Sequence, residues 1–126
     1  GKLTITCMSF GYKYGIPAET DLLFDLRCVP NPFYVPELRP KTGLYAEVRD
    51  YVLATPEAQG LAARLDGLLD YLLPLYIAEG KCSLVIGFGC TGGKHRSVTF
   101  AELFRARLLE RGYHAVVSHR DIGRDR

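Results

Sequence analysis

Leu84-Val85-Ile86-Gly87-Phe88-Gly89-Cys90-Thr91-Gly92-Gly93-Lys94-His95-Arg96-Ser97 runs from an apolar stretch through a glycine-rich turn into the start of a helical pattern. The apolar part has the composition of a buried strand, bounded by a turn signal. Beyond the turn, Val98, Ala101, Leu103, Phe104, Leu108 and Leu109 recur at helical spacing, which predicts a helix from about Ser97 to Arg111 that stops at Gly112. A strand delivering the chain to a Gly-rich turn and then to a helix N-terminus is the layout of an anion cradle. The N–H groups of the turn point inward, the helix dipole adds its positive end, and Lys94, His95 and Arg96 supply side-chain donors.

Working outward, a last strand is predicted at Ala115 to Ser118, and Lys81 to Gly89 is the strand that feeds the turn. Before it, Leu61, Leu65, Leu68, Leu69, Leu72, Leu73 and Tyr76 mark a long amphipathic helix. Thr55 caps that helix with Pro56 at its first position, Pro74 is predicted to kink it or end its regular part, and Gly80 stops it. A shorter helix is expected from Tyr45 to Ala54. Two strands precede these, Leu3 to Met8 and about Asp21 to Arg27, joined through a loop at residues 12–17 with room for one helical turn.

Residues 28–43 hold Pro30, Pro32, Pro36 and Pro40 and can be neither a regular helix nor a central strand. Val29, Phe33, Tyr34, Val35 and Leu38 make this an ordered, packed loop, read either as a cover over the sheet or as the lining of a ligand site. Helices between strands imply crossover connections. The fold class is therefore a small α/β domain, one domain over residues 1–126, with a mostly parallel sheet flanked by helices in two or three layers. Its phosphate-binding loop lies at the carboxyl end of a central strand. Ser9-Phe10-Gly11, Cys28 to Asn31, Cys90 to Arg96 and His119-Arg120-Asp121 gather at that edge, where such sheets bind ligands.

The 126 residues, 48% apolar with a mean hydropathy near zero, suit one globular core. No apolar run approaches a membrane span and nothing resembles a signal peptide, so a cytoplasmic setting without a membrane partner is expected. The net charge of +2 is mild but unevenly placed. From Lys94 onward Arg96, Arg105, Arg107, Arg111, Arg120, Arg124 and Arg126 outnumber the acids, so any polyanion footprint belongs to this end. The four cysteines, Cys7, Cys28, Cys82 and Cys90, include no C-x-x-C pair and read as free thiols, Cys7 and Cys82 within strand-like apolar runs. His95, His114 and His119 lack the spacing of a helical metal site, and no metal or other cofactor is expected.

Three chemistries compete for the loop. A Walker loop fails on spacing, because Phe88 stands where a glycine is required and His95 where the Mg²⁺-binding hydroxyl should be. Cys90-x5-Arg96-Ser97 resembles the signature of cysteine-dependent phosphatases, in which a thiolate of lowered pKa attacks phosphorus; Asp25 and Asp121 are its candidate acids, and Gly89 precedes the cysteine where a His is usual. The third is a non-catalytic sensor of a phosphorylated metabolite. There Thr91, Gly92 and Gly93 offer N–H groups, Thr91 and Ser97 hydroxyls, Arg96 a two-pronged grip and Lys94 a point charge.

Several motifs in one order then become specific: Ser9 to Pro17, Phe24-Asp25-Leu26-Arg27, Pro30-Asn31-Pro32, Leu38-Arg39-Pro40, Thr42-Gly43-Leu44, Gly89 to Ser97 and His119-Arg120-Asp121. Across essentially the whole chain they resemble the C-terminal domain of the RNase adapter RapZ (YvcJ) family. Full-length members carry an N-terminal Walker-type domain, which this chain lacks; that Gly1 rather than Met opens the sequence fits an excised domain. The resemblance implies a non-enzymatic domain that binds an amino-sugar phosphate such as glucosamine 6-phosphate, or a related nucleotide sugar. It also implies regulatory small RNA presented to an endoribonuclease, within a homo-oligomer. Thr91, Gly92 and Arg96 match the positions that the resemblance carries over as ligand contacts; the reading of the loop adds Gly93, Lys94, His95 and Ser97, with Lys13, Arg27 and Asn31 as second-tier contacts from neighbouring loops. The RNA contacts are Lys94, Arg120, Arg124 and Arg126. Two departures stand out: Phe33 follows Pro-Asn-Pro where RNA-binding members can have His, and Asp125 interrupts the terminal basic run.

Overall fold

The computed structural model of the chain describes residues 2–124. Four strands, β1 (Thr4–Gly11), β2 (Leu22–Asp25), β3 (Ser83–Cys90) and β4 (His114–His119), pair wholly in parallel in the order β2-β3-β1-β4. β3 and β1 are the interior strands, so the glycine-rich turn does leave a central strand at its carboxyl end. The register sets Gly11 opposite Cys90 and Ser9 opposite His119. The three strands thus end at one level, and their following loops meet there.

Three helices connect the strands: α1 (Ala46–Leu53), α2 (Pro56–Glu79) and α3 (Arg96–Glu110). Thr55 caps α2 by accepting from the Ala58 N–H at 3.2 Å, and Gly80 ends it at φ 95°, donating back to Ile77 and Tyr76. Pro74 does not end this helix, which continues to Glu79. A mid-helix proline forfeits one backbone bond. Leu69 and Leu73 before it are fully buried and Tyr76 beyond it packs on the same core, so burial on both sides holds the segment helical.

All three helices lie on one face of the sheet, giving two layers. Ile86 and Phe88 of β3 point into this layer, and Phe88, Phe100 and Phe104 form its aromatic centre, with Phe88 stacked on Phe104 at 5.6 Å. Such ring pairs contribute about 0.5–1.5 kcal/mol beyond their buried area. The opposite face receives the connection from β1 to β2: Phe10, Tyr12 and Thr20 lie where side chains at Gly87 and Gly89 would stand. Right-handed crossovers produce this arrangement, because the chain steps one way from β1 to β2 and the other way thereafter.

Two strand boundaries differ from the sequence reading. β1 runs past Met8 to Gly11 because β3 continues to pair with it, and β2 is only Leu22–Asp25, an edge strand held by β3 alone. Cys7 is buried within β1, but Cys82 precedes β3 and is exposed, so its apolar neighbours did not place it in a strand. Among the described residues no helix is long and apolar enough to cross a membrane.

Candidate functional site

The loop between β3 and α3 rests directly on the end of β1. Gly93 has φ +77°, and a Cβ there would stand 2.6 Å from the Gly11 nitrogen. A Cβ on Gly11 would in turn meet the Gly92 carbonyl carbon at 2.5 Å. Asp121 locks this contact from below: it is wholly buried and its Oδ2 accepts from the Gly11 N–H at 2.8 Å. Burial pushes the Asp121 carboxyl up. Hydrogen bonds from Arg120 and the Gly11 N–H, with the charges of Arg120 and Arg124, more than reverse this and hold it below the ordinary carboxylate value.

Held this way, the loop keeps its donors open. Among the described residues, the N–H groups of Thr91, Gly92 and Gly93 donate to no backbone carbonyl, and His95, at the N-cap of α3, makes no side-chain capping bond. The first turn of a 15-residue helix therefore adds unsatisfied N–H groups and the positive dipole end to those of the loop.

A cavity of about 380 Å³ opens between this loop and the proline-rich segment. Thr91, Gly92, Lys94, His95 and Arg96 line it, joined by Lys13 and Asn31 from neighbouring loops. Cys90, Phe33 and Tyr34 complete the wall. Three of the residues expected at the site lie elsewhere. Gly93 is buried against Gly11, and Ser97 is buried with its Oγ accepting from the Cys90 thiol at 3.1 Å. Arg27 ion-pairs with Asp25 at 2.7 Å and covers the Tyr12 ring at 3.8 Å.

The cationic side chains of the loop are already engaged with protein. Arg96 is only 4% exposed, and its Nη1 donates to the carbonyls of Val29 at 2.8 Å and Arg27 at 3.1 Å, while its buried Nε has no partner. Lys94 Nζ donates to the Arg39 carbonyl at 2.9 Å, and His95 Nε2 lies 3.2 Å from the same oxygen. A carbonyl only accepts, so that nitrogen carries the proton. Burial, joined by the nearby Lys94 charge, lowers the His95 pKa against the opposing pull of backbone carbonyls. Lys94, His95 and Arg96 thus clamp the proline-rich segment onto the loop, a role invisible in their spacing.

The residues expected to meet RNA are also largely committed. Arg120 donates to Asp121 and to the carbonyls of Gly15 at 2.6 Å and Tyr14 at 3.3 Å. Arg124 pairs with Asp121 at 3.4 Å and lies 5.1 Å from the Tyr14 ring centre, with 54% of its side chain exposed. Arg126 lies outside the described residues.

For phosphatase chemistry the geometry offers little. Cys90 borders the cavity but is 3% exposed and donates to Ser97, and both candidate acids are occupied. Asp25 is held below its ordinary pKa, first by the hydrogen bond from the Arg27 side chain, and Asp121 is buried in structural contacts. A Ser9–His119–Glu102 chain, at 2.6 and 2.7 Å, was not foreseen from sequence, but Ser9 is fully buried and the chain ties β1, β4 and α3 together. Among the described residues no three potential ligands converge on a metal site.

The fold and this site define a small α/β domain with a pocket built around a strand–glycine loop–helix unit. The chain belongs to the RapZ C-terminal domain family, whose model matches residues 3–123. That membership supports a non-enzymatic role for the domain. A nucleotide-binding protein of Clostridium perfringens is 50% identical over 123 residues, covering 98% of this chain and 42% of the relative. One from Lysinibacillus sphaericus is 55% identical over 121 residues, 96% of this chain and 40% of the relative. One from Halalkalibacterium halodurans is 56% identical over 119 residues, 94% and 40% respectively. The chain thus spans about two fifths of the length of these curated relatives.

Proposed function

We propose that this domain is a non-catalytic sensor or adapter that binds a phosphorylated sugar, an amino-sugar phosphate or a related nucleotide sugar, in the cavity beside Thr91 to Arg96. The observation that carries the reading is the convergence of unengaged donors on that cavity. Thr91 and Gly92, whose N–H groups donate to no backbone carbonyl, and His95 and Arg96 at the uncapped N-terminus of α3 line it, and the buried Arg96 Nε lacks a partner. An anionic oxygen satisfies such donors with charge-assisted hydrogen bonds. Lys13 and Asn31 supply polar groups on the opposite side for the body of the ligand.

Calorimetric titration with glucosamine 6-phosphate tests this. Lys94→Ala removes a cavity cation and is expected to weaken binding about fivefold or more and to flatten its salt dependence. No heat of binding with any sugar phosphate at millimolar concentration, or an affinity unchanged in the variant, would reject the site.

The adapter part of the proposal, small RNA presented to an endoribonuclease, rests on the family resemblance. Asp121 pairs with both Arg120 and Arg124, so among the described residues expected to meet RNA less charge is left to displace counterions from a polyanion. A shallow fall of RNA affinity with salt is therefore expected for this domain by itself, and a steep slope would contradict it.

A further inference from the structure

We infer that the outer face of α2 is a docking surface for a second copy of this chain, the two α2 helices lying antiparallel about a two-fold axis that passes between Tyr71 and Leu72. The inference draws on none of the residues of the ligand cavity.

α2 carries two apolar faces where one would suffice. Leu65, Leu69 and Leu73 are buried in the core, and Leu68, Tyr71 and Leu75 recur at the same three- and four-residue steps on the far side, 40%, 70% and 50% exposed. Single exposed apolar residues are ordinary, but a stripe along successive turns marks a contact surface. Gly67, Pro74 and Ala78 are exposed beside the stripe, and a Cβ on Gly67 would meet nothing within 4 Å, so no bulky side chain there holds a partner helix away. A solvated helix face normally carries charge. Between Gly67 and Ala78 the one charged residue is Asp70, and Arg111 of α3 pairs with it at 3.4 Å.

The charges at the two ends of the stripe identify the occupant. Arg64 stands four residues before Leu68, and Glu79 four residues after Leu75; both are exposed on the same side of the helix. Arg64 donates within its own helix, to the Gly60 carbonyl at 3.0 Å, which leaves its other guanidinium donors for a partner. An antiparallel pair centred between Tyr71 and Leu72 sets Leu68 opposite Leu75 of the second copy and Arg64 opposite Glu79 of the second copy, each contact occurring twice by symmetry. Parallel helices in register would set Arg64 against Arg64 and Glu79 against Glu79. The face is thus self-complementary in shape and charge in the antiparallel sense alone, which is what a two-fold contact requires. Three large apolar side chains per copy make a short seam, in the class below about 1,200 Å² that supports weak, reversible association. A dissociation constant of about 10–500 μM is expected.

Sedimentation equilibrium on this chain from about 10 μM to about 1 mM should show monomer and dimer in exchange across that range. Tyr71→Ala, at an exposed position where alanine also favours the helix, should weaken the dimer about tenfold or more without loss of circular dichroism. Arg64→Glu and Glu79→Arg should each weaken it about threefold or more, and the double variant should return to within about twofold of the parent. A chain that stays monomeric at 1 mM would overturn the second copy as occupant and leave the face to a different chain. A dimer indifferent to Tyr71→Ala would overturn the assignment to α2. A dimer that Tyr71→Ala weakens, but in which the double charge variant is no better than the single ones, would overturn the antiparallel pairing.

Discussion

Arg96 donates through Nη1 to the Val29 carbonyl oxygen at 2.8 Å, joining the first residue of α3 to a loop that precedes it by more than sixty positions. The same nitrogen reaches the Arg27 carbonyl, so one buried cation fixes the exit of β2 over the cavity. Arg96→Ala is therefore expected to destabilise the fold by about 1.5–3 kcal/mol, the range for hydrogen bonds to a charged group. Urea denaturation measures it. A loss below about 0.5 kcal/mol would mean that these bonds are replaced by water. Because the variant loosens the cavity wall, weakened ligand binding in it is read only together with its loss of stability.

Gly93 and Gly11 touch backbone to backbone, and each excludes a side chain at the other's expense. Gly93→Ala combines a left-handed φ with a Cβ 2.6 Å from the Gly11 nitrogen, and is expected to cost about 2–4 kcal/mol. Gly80 is a control for the dihedral alone: its φ is +95° with nothing within 4 Å, so Gly80→Ala should cost about 1 kcal/mol. Equal losses in the two variants would show that the close approach contributes nothing.

Much of the fold was legible because burial and local chemistry agree. The strand at Lys81 to Gly89, the Thr55–Pro56 cap and the Gly80 and Gly112 stops carry their own signals, and the structure places elements there to within a few residues. Pro74 leaves the helix unbroken because backbone propensity is local, whereas Leu73 and Tyr76 are held by packing from elsewhere. At the site, the spacing of Lys94, His95 and Arg96 announced positive charge beside a glycine turn. It could not announce that Arg39, Val29 and Arg27 would present carbonyls to them, since those contacts cross long stretches of chain. The aromatic wall was hidden for a related reason. Phe33 and Tyr34 read like Val29 and Leu38 in sequence, and only the short 3-10 turn Pro32–Tyr34 decides which of them face water.

Asp121 links stability to pH. Its folded pKa lies below the ordinary value, since bonds from Arg120 and the Gly11 N–H outweigh burial. A carboxyl depressed in this way contributes stability that is complete above its unfolded pKa of about 3.9 and is lost as pH falls through the folded value. Asp121→Asn should be less stable than the parent by about 1–3 kcal/mol at pH 7. The gap in urea midpoints should then narrow on acidification below about pH 4. A gap that stays constant down to pH 3 would place the acid sensitivity on other carboxylates.

The four thiols divide by environment, and their reactivity tests both the fold and the demotion of Cys90. Cys28 and Cys82 are exposed, whereas Cys7 and Cys90 are buried. Burial pushes the Cys7 thiol up to about 12, with Arg105 pulling it back and Glu102 adding slightly. Thiolate is the reactive form, so Cys7 is protected by both its position and its protonation. Cys90 borders the cavity yet is 3% exposed and donates to Ser97. A disulfide reagent at pH 8 is expected to titrate Cys28 and Cys82 rapidly in the native protein, and Cys7 and Cys90 only after denaturation. Cys90→Ser should also leave an aryl phosphate hydrolysed at the uncatalysed background rate, as in the parent. A fast Cys90 together with turnover that disappears in Cys90→Ser would instead restore the phosphatase reading, because a nucleophilic thiolate must be both ionised and reachable by phosphorus.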